Sequence, residues 1–455
     1  MSNLFATMSV AVGSMLAQQS AIGVTANNVS NINTPGYSRQ RADLAEGDSF
    51  YNGAFMVGTG VELQQISSLR DRILELRIQD EMQQQGALDA QVSALSDVDL
   101  QFSAQNSNIG NALNNFFGSL SSLAPDVTNR ALRQSVLVAA QNLANQFQST
   151  SRMLTQRQFS LDLEIKQGVQ QVNQITTQLA DLNRQISSST LPEDQLGSFV
   201  DQRNVLLQKL SFLLGNHVVQ ADDGLTVTAS NGSPLVVGGQ AYQLHLSTNF
   251  DGTNHLSVSG RDITQSATGG SIAGLLQVRE KSIPGILEQL DTIASTLITS
   301  FNAVHVTGTD LQGNAGVDFF NPAPAAGSGA AASFSLNITD ADQIAASGDT
   351  TTGNNAVLNT LIDLQNQQLV DNNRLVDAYS NLTFDLGSQL SNAKSDLQST
   401  EAELQQLNDQ RGAISGVSLD EEASNLLRYQ RAYEAAARVL SIVSDLTEVS
   451  VNLGR

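Results

Sequence analysis

The stretch MSNLFATMSVAVGSMLAQQSAIGVTANNVSNINTPG, residues 1–36, decides how the rest of this chain is read. Apolar or small residues fall at Phe5, Met8, Val12, Met15, Ile22, Ala26 and Val29, spaced by three and four, with only Gln19 breaking the series. That spacing is the seam of a helix that wants a partner helix. The far end of the chain supplies a matching seam at Leu426, Tyr429, Tyr433, Ala436, Leu440 and Val443. A second row, Val439, Ile442, Leu446 and Val449, widens it towards the terminus. The two ends are therefore expected to meet as a coiled coil, with everything between them an insertion.

Both seams have readable limits. Proline pushes Thr34 out of the α region, and Pro35-Gly36 suits the middle of a type II turn, so the first helix should end there. The second should open at Ser418, with Glu421 three residues on to complete a capping box, and stop near Gly454. Neither helix reads as self-sufficient. Burying each large seam residue is worth about 1.5–3 kcal/mol, while ordering each backbone residue costs about 1–2 kcal/mol. Gly13 and Gly23 subtract roughly 1 kcal/mol apiece relative to alanine. Both ends are expected to fray in the monomer and to order in an assembly.

Composition narrows the function. The 455 residues are enough for two or three domains, and 40% apolar content excludes wholesale disorder. Aromatics are sparse and tryptophan is absent, which favours helices packed along narrow seams. A net charge of −21 argues against nucleic acid and against an anionic membrane surface, both of which need a basic face. The acid is unevenly placed: none occurs before Asp43, where the only charged side chains are Arg39 and Arg41. A nearly neutral terminus can enter a crowded interface without desolvating charge. With no cysteine, disulfide scaffolds, thiolate metal sites and cysteine nucleophiles are excluded. No cleaved secretory signal and no membrane-spanning run is expected. An ordinary reading of those features would be cytoplasmic.

Turns and short strands are expected over 35–65, with glycine at 36, 47, 53, 58 and 60. A long helical region follows (Leu69, Ile73, Leu76, Leu88, Val92, Leu95), with Gly86 as a break. A short helix over 109–123 carries Leu113, Phe116, Phe117 and Leu120, and Pro125 suits the first turn of the next. That next helix should run from about Asp126 to Ser188, long enough to be a rod. Another covers 196–214 and ends at Gly215. Period-two patterning then gives strands over His217–Thr228 and Pro234–Leu246 about an Asn231-Gly232 hairpin, with a further turn at Asp251-Gly252 before His255–Val258. Helix returns over Ser271–Val304, kinked or restarted by Pro284. Residues 307–352 read as loops with a strand at Phe334–Ile338, and 354–413 as a last helical region (Leu390, Leu397, Leu404, Leu407). The nested order suggests an elongated molecule with both termini at one end and the β part at the other.

At 26–41 the sequence ANNVSNINTPGYSRQR strongly resembles the N-terminal signature of the bacterial flagellar axial proteins, the family of rod, hook and hook-associated proteins. SGVSLDEEASNLLRYQRAYEAAARVLSIV, 415–443, resembles the matching C-terminal signature. The motif residues are Asn27, Asn28, Asn31, Asn33, Thr34, Pro35, Gly36, Tyr37 and Arg39. The Tyr37-Ser38-Arg39-Gln40 ending, DQRNVLL at 201–207 and GTDLQGNAGVDFF at 308–320 are similar to the hook-associated branch. The resemblance implies a structural adaptor between hook and filament, exported unfolded through the flagellar type III channel on an uncleaved polar N-terminus. On that reading the protein is extracellular, although it has no ordinary signal. The implied partners are further copies of itself, the hook protein, a second hook-associated protein, and an export chaperone on the Leu426–Val443 stripe.

Chemistry-bearing residues are few. His217, His245, His255 and His305 form no helical metal pair; His245 and His255 lie in neighbouring expected strands, but further ligands are missing, so all four read as surface or hairpin residues. Asp310 and Asp318 flank a glycine-rich turn without calcium-loop spacing. No phosphate loop or nucleophile elbow occurs. Arg428, Arg431 and Arg438 read either as a solvated face or as bridges to acidic neighbours. Asn-Thr-Pro-Gly-Tyr is a helix stop, and Tyr37 and Arg39 are expected also to fix the angle between terminal coil and body.

The expectation is a mainly α, elongated, multi-domain protein with a small β insertion, no cofactor, no metal and no enzymatic activity. Residues 1–41 with 418–455 form the assembly region. Residues 42–215, 269–306 and 353–417 form the helical rod, 216–268 the β insertion, and 307–352 joins one or the other. An adhesive surface protein using the β insertion for recognition is the alternative.

Overall fold

The computed structural model describes residues 2–51, 56–102, 108–190, 196–221, 224–248, 254–324, 328–351 and 353–453. The expected turn at Asp251-Gly252, Gly53 and the helix stop at Gly454 lie outside them. The first helix, α1 (Ser2–Ser30), gives way to turns over 31–36. There Tyr37 N–H donates to Thr34 O at 3.1 Å and Gly36 takes φ +78°, the type II turn expected from Pro35-Gly36. Strands β1 (Gln40–Glu46), β2 (Phe50–Tyr51), β3 (Met56–Val57) and β4 (Val61–Ser68) follow, β1 pairing with β4 and β2 with β3.

Helix α2 (Arg72–Phe102) runs without a break through Gly86. A Cβ at Gly86 would lie 2.0 Å from Phe212 O, so this glycine permits close packing of the segment around Phe212 and does not end the helix. Helix α3 (Ile109–Leu123) has the expected limits and buries Leu113, Phe116, Phe117 and Leu120. Pro125 sits in the turn after it, not in the next helix. That helix, α4 (Arg130–Ser187), is opened by Asn129, whose side chain accepts from Ala131 N–H and Leu132 N–H. A side-chain cap satisfies orphan donors that Pro125, four residues upstream, cannot reach. At 58 residues α4 is about 87 Å long. Helix α5 (Gly197–Leu213) turns back beside it.

The β region has more strands than expected, because each long period-two run is folded on itself. His217–Thr228 is the hairpin of β5 (Asn216–Ala221) and β6 (Gly224–Ala229), entered by Gly224 at φ +120°. Pro234–Leu246 holds β7 (Pro234–Val237), β8 (Gln240–Ala241) and the start of β9 (Leu244–Thr248), with Gly238 at φ +50° between the first two. The Asn231-Gly232 turn joins β6 to β7 as expected, with Gly232 at φ +82°. Strands β10 (Asn254–Val258) and β11 (Arg261–Asp262) complete a second sheet of order β9-β10-β11; the first has order β5-β6-β7-β8.

Helix α6 (Ser271–Gln277) passes through a π turn, Val278–Ser282, into α7 (Ile283–His305). Pro284 has no N–H for the carbonyl four residues back, and the widened turn absorbs that loss. Beyond the four-residue helix α8 (Ala330–Ser333), the expected strand at Phe334–Ile338 is only one bridge, Phe320 to Leu336. Helix α9 (Ala356–Asp363) and helix α10 (Leu375–Ser415) divide the last helical region. Between them Asp371 and Asn372 both take positive φ, 47° and 60°, in a tight turn that Asp and Asn tolerate better than most residues. Helix α11 (Leu419–Leu453) closes the chain.

The β sheets are not at the end opposite the termini. Their apolar faces, with Val227, Leu235, Val236, Leu244 and Leu256 buried, need a partner surface and find it on the second half of α4. Asn183 donates to Leu225 O and Gly238 O, each at 2.8 Å. Asn173 donates to Leu244 O and accepts from Leu244 N–H. The start of α4 abuts the turn-rich segment instead: Arg133, 1% exposed, donates to Ile344 O at 2.8 Å, and Arg130 pairs with Asp342. The described residues of 307–351 therefore lie along the helices. Their Phe319, Phe320 and Phe334 join Phe116, Phe147 and Phe301 in one aromatic core, with ring centroids 4.7–6.1 Å apart along its contacts.

Candidate assembly site at the joined chain ends

The most extensive helix pairing in the molecule is α1 along α11, so the chain ends do meet. The face α1 turns inward is not the expected seam but a neighbouring, smaller-residue one: Ala11, Ala17, Ala21, Val24, Thr25 and Asn28 are buried. Of the expected seam, Met8, Met15 and Ile22 are half-buried, whereas Phe5, Val12, Ala26 and Val29 are exposed. Small residues let two helix backbones approach closely, and the larger side chains are thereby turned outward. On α11 the expected seam does face inward: Tyr429 and Val443 are buried, and Leu426, Tyr433, Ala436 and Leu440 half-buried. The second row, Val439, Ile442, Leu446 and Val449, is 42–58% exposed, and Leu16 and Leu427, which the seam reading missed, are exposed with it.

Where this coil meets the body, the Asn-Thr-Pro-Gly-Tyr motif forms an elbow of fixed geometry. Asn28, 1% exposed, uses its whole amide. Its Nδ2 donates to Gln40 O at 2.8 Å and to Glu422 Oε2 at 3.2 Å, and its Oδ1 accepts from the Tyr37 hydroxyl at 2.8 Å and from Gln40 N–H at 2.9 Å. Thr34 and Asn27 join through Asn31, which donates to Asn27 Oδ1 and accepts from the Thr34 hydroxyl. Asn33 is exposed and makes no side-chain hydrogen bond among the described residues. Burial, then the nearby Asp201 and Glu422 charges, push the Tyr37 phenol up to about 12, so it stays a donor to Asn28.

Arg39 is the node. Its N–H donates to Ser415 O and its C=O accepts from Leu69 N–H, both at 2.9 Å, so its backbone ties the incoming chain to the outgoing chain and to the β1–β4 ribbon. Its guanidinium spans Glu422 Oε1 at 2.7 Å and Glu421 Oε2 at 2.5 Å. Glu421 thus reaches across to Arg39 where a capping box with Ser418 was expected. On the body side, Asp201 accepts from Ser38 N–H at 3.1 Å and from Arg70 at 2.8 Å, and Arg70 also donates to Gly197 O at 2.7 Å. A Cβ on Gly36 would lie 2.3 Å from Val205 Cγ2. The two terminal motifs and the DQRNVLL stretch therefore close on one another. Asp201, Val205 and Glu422 belong to quoted motifs, but sequence alone assigned them no role; Arg70 carried no signal.

Elsewhere the polar groups serve the fold. His305 is fully buried in the core, not at the surface as expected; Ala345 N–H donates to its Nε2 at 2.9 Å, and its Nδ1 lies 2.6 Å from Val317 O. Those contacts fix the neutral tautomer with the proton on Nδ1. His255 pairs with Asp262 at 2.7 Å. His245 stands opposite Ser257, two pairs along the ladder from His255, and no three-residue metal cluster occurs among the described residues. Asp310 accepts from Gln312 N–H and Asn314 N–H, which makes 309–315 an ordinary Asx turn. Arg428, Arg431 and Arg438 are exposed, Arg428 lying over the Tyr429 ring at 4.9 Å. No described helix is long and apolar enough to cross a membrane.

Comparison with known proteins bears on the same segments. Residues 95–320 match the family described as flagellar hook-associated protein FlgK helical domain. Residues 410–453 match flagellar basal body rod FlgEFG protein C-terminal, and residues 8–37 match flagella basal body rod protein. The chain is 29% identical to flagellar hook-associated protein 1 of Bacillus subtilis, over 99% of both chains. It is 26% identical to those of Salmonella typhimurium and Escherichia coli, over 97% of this chain and 98–99% of theirs. This chain is a homologue of flagellar hook-associated protein 1. Its fold agrees with the flagellar hook junction protein FlgK from Burkholderia pseudomallei, at TM-score 0.67 and 18% identity over 74% of this chain and all of that one. The homologues are structural proteins of the flagellum and not enzymes, and this chain is a structural, hook-associated flagellar component.

Proposed function

We propose that this chain is an extracellular adaptor joining hook to filament, delivered unfolded through the flagellar type III channel and assembled through α1 and α11. One observation carries the reading. The coil buries mainly small residues of α1 against α11 and the β1–β4 ribbon, and leaves Phe5, Val12 and Leu16 on α1, and Ile442, Leu446 and Val449 on α11, to the outside. Rows of exposed large apolar residues on both helices of the coil mark an interaction surface. Neighbouring copies, the hook protein and a second hook-associated protein are the partners it suits within an axial tube. The Leu426–Val443 stripe is the part of α11 that an export chaperone would cover before assembly. A chain with no cysteine and a nearly neutral N-terminus fits threading and refolding outside the cell. The division of labour follows: 1–41 with 418–455 assemble, and the elbow at Asn28, Tyr37 and Arg39 sets the angle of the body.

Labelled antibody on purified flagella tests the location, with signal expected at the hook–filament junction. Leu446→Asp with Val449→Asp, both beyond the chaperone stripe, should leave the protein secreted and folded while cells build no filament. Normal swimming by that variant, or label elsewhere on the flagellum, overturns the reading. The adhesive alternative gains no supporting observation, since the apolar strand faces are spent on α4.

A further inference from the structure

Helices α3, α4, α7 and α10 form a closed quartet: α3 packs against α4 and α10, and α7 packs against the same two. The α3–α4 and α7–α10 grooves consequently lie on opposite sides of the body. The turn-rich segment and α8 cover the α4–α7 side, leaving these two grooves open.

Their chemistry is opposite. The α3–α4 groove, about 590 Å³, is lined by alanine and by amides such as Asn115 and Asn142, with Val138 51% exposed. Helix α3 carries no charge at all, and α4 carries no acid from Arg130 to Leu161. Val138, Asn142, Asn145, Arg152, Phe159 and Leu163 fall on one four-three stripe of α4, all of them exposed, a seam the intramolecular core does not use. Arg152 has no carboxylate partner among the described residues and reaches only the Gln148 carbonyl of its own helix. The α7–α10 groove is rimmed by Glu288, Asp371 and Asp385 and lined by no basic residue. Beside it Phe384 stands 73% exposed, one helical turn from Asn381.

We propose that the α7–α10 edge of one copy docks, Phe384 foremost, into the α3–α4 groove of the next. The inference rests on the assembly reading above. Each copy carries a net charge of −21, so copies repel wherever acid meets acid. Two α7–α10 edges placed face to face would oppose six carboxylates, whereas the α3–α4 face is acid-free and offers Arg152. Contact between two different faces is heterologous, and repeated around an axis it yields a ring or a helical row, the geometry an axial component requires.

The absence of native cysteine makes the test clean. Val138→Cys, Phe384→Cys and the double variant are expressed as full chains in motile cells, and purified flagella are treated with a short bis-maleimide. The double variant is expected to give a ladder of covalent multimers, and each single variant monomers only. Dimers from Val138→Cys alone would mean like-face packing, and linkage of either single variant to another flagellar protein would mean a different occupant; both overturn the proposal. So does a double variant present on flagella that gives no ladder. Absence of the chain from flagella would instead sink the assembly reading itself, and this proposal with it. Arg152→Glu on the Val138→Cys, Phe384→Cys background should cut the ladder yield several-fold while leaving secretion unchanged; an undiminished ladder would remove the charge argument.

Discussion

The body and the terminal coil of this protein are both helical, yet they are built on opposite rules. In the body, large side chains point inward: Phe116, Phe147, Phe301, Phe319, Phe320 and Phe334 are fully buried in one contiguous core. In the coil, α1 turns mainly alanines inward, with Val24, against Tyr429 and Val443 of α11, and Phe5, Leu16, Leu427 and Ile442 point outward. A helix pair that buries small residues gains little from its own contact. The difference separates the part that folds for itself from the part kept for neighbours. Amide exchange on the dilute monomer should show it directly, with strong protection in α3, α4 and α7 and little over residues 3–30. Protection of α1 equal to that of α4 would erase the distinction.

The largest expected effect lies in the core. Phe301 touches Phe116, Phe319 and Phe320 at centroid distances of 5.3, 4.9 and 5.4 Å. Phe301→Ala should cost about 3–5 kcal/mol in urea unfolding. Phe5→Ala, at a side chain 55% exposed, should stay within about 0.5 kcal/mol. If the two costs came out alike, the coil would have a core of its own.

Next comes the elbow that couples the regions. The Glu422 side chain is 2% exposed and holds both Arg39 and Asn28. Glu422→Gln weakens one charge-assisted contact and leaves the other donors in place, a loss of about 1.5–3 kcal/mol. It should appear as faster exchange in α11 and in 31–41, with α4 unchanged. Uniform acceleration everywhere would show that coil and body unfold as one.

The expected loss at His305 is smaller and depends on pH. Burial pulls its imidazole below the ordinary value, with Arg133 adding to this and the Val317 carbonyl and Asp318 opposing it. The folded state therefore binds the proton less readily than the unfolded chain. Stability is complete above the unfolded value near 6.5 and declines as pH falls below it, by at most about 1.4 kcal/mol per pH unit. His305→Gln should be less stable at pH 7.5 but lose less between pH 6.5 and 5.5, read as urea midpoints. A parallel decline in both proteins would show that His305 binds its proton equally readily in the folded and unfolded states.

What the sequence disclosed about these regions follows how local each cause is. The limits of α3, the turn at Asn231-Gly232 and the interruption at Pro284 were legible because each is dictated by residues within one turn. The joining of the chain ends was legible from two seams and two motifs. The inward face of α1 was not: alanine adds little to a hydrophobic pattern, so the eye follows Phe5 and Val12, which face away. Gly86 reads as a break in the sequence because the reason for that glycine, the Phe212 carbonyl, is 126 positions along the chain. The seat of the β sheets on α4 was hidden for the same reason. Asn173 and Asn183 look like ordinary polar positions until Leu244, Leu225 and Gly238 are brought to them.

The smallest effect separates the two acids that grip Arg39. Glu421 approaches the guanidinium at 2.5 Å, closer than Glu422 at 2.7 Å, yet its side chain is 61% exposed. Distance alone would rank Glu421 first. Water and salt screen an exposed pair, so its worth is about 0–1 kcal/mol, whereas the buried acid also serves Asn28 and cannot be replaced by solvent. Glu421→Gln should therefore shift unfolding and exchange little, and raising salt to 0.5 M should abolish even that difference. The same salt should leave the Glu422→Gln defect in place, because its carboxylate lies out of reach of counterions. If the two variants behaved alike in salt, the elbow would be an ordinary surface ion pair and not the joint that fixes the coil to the body.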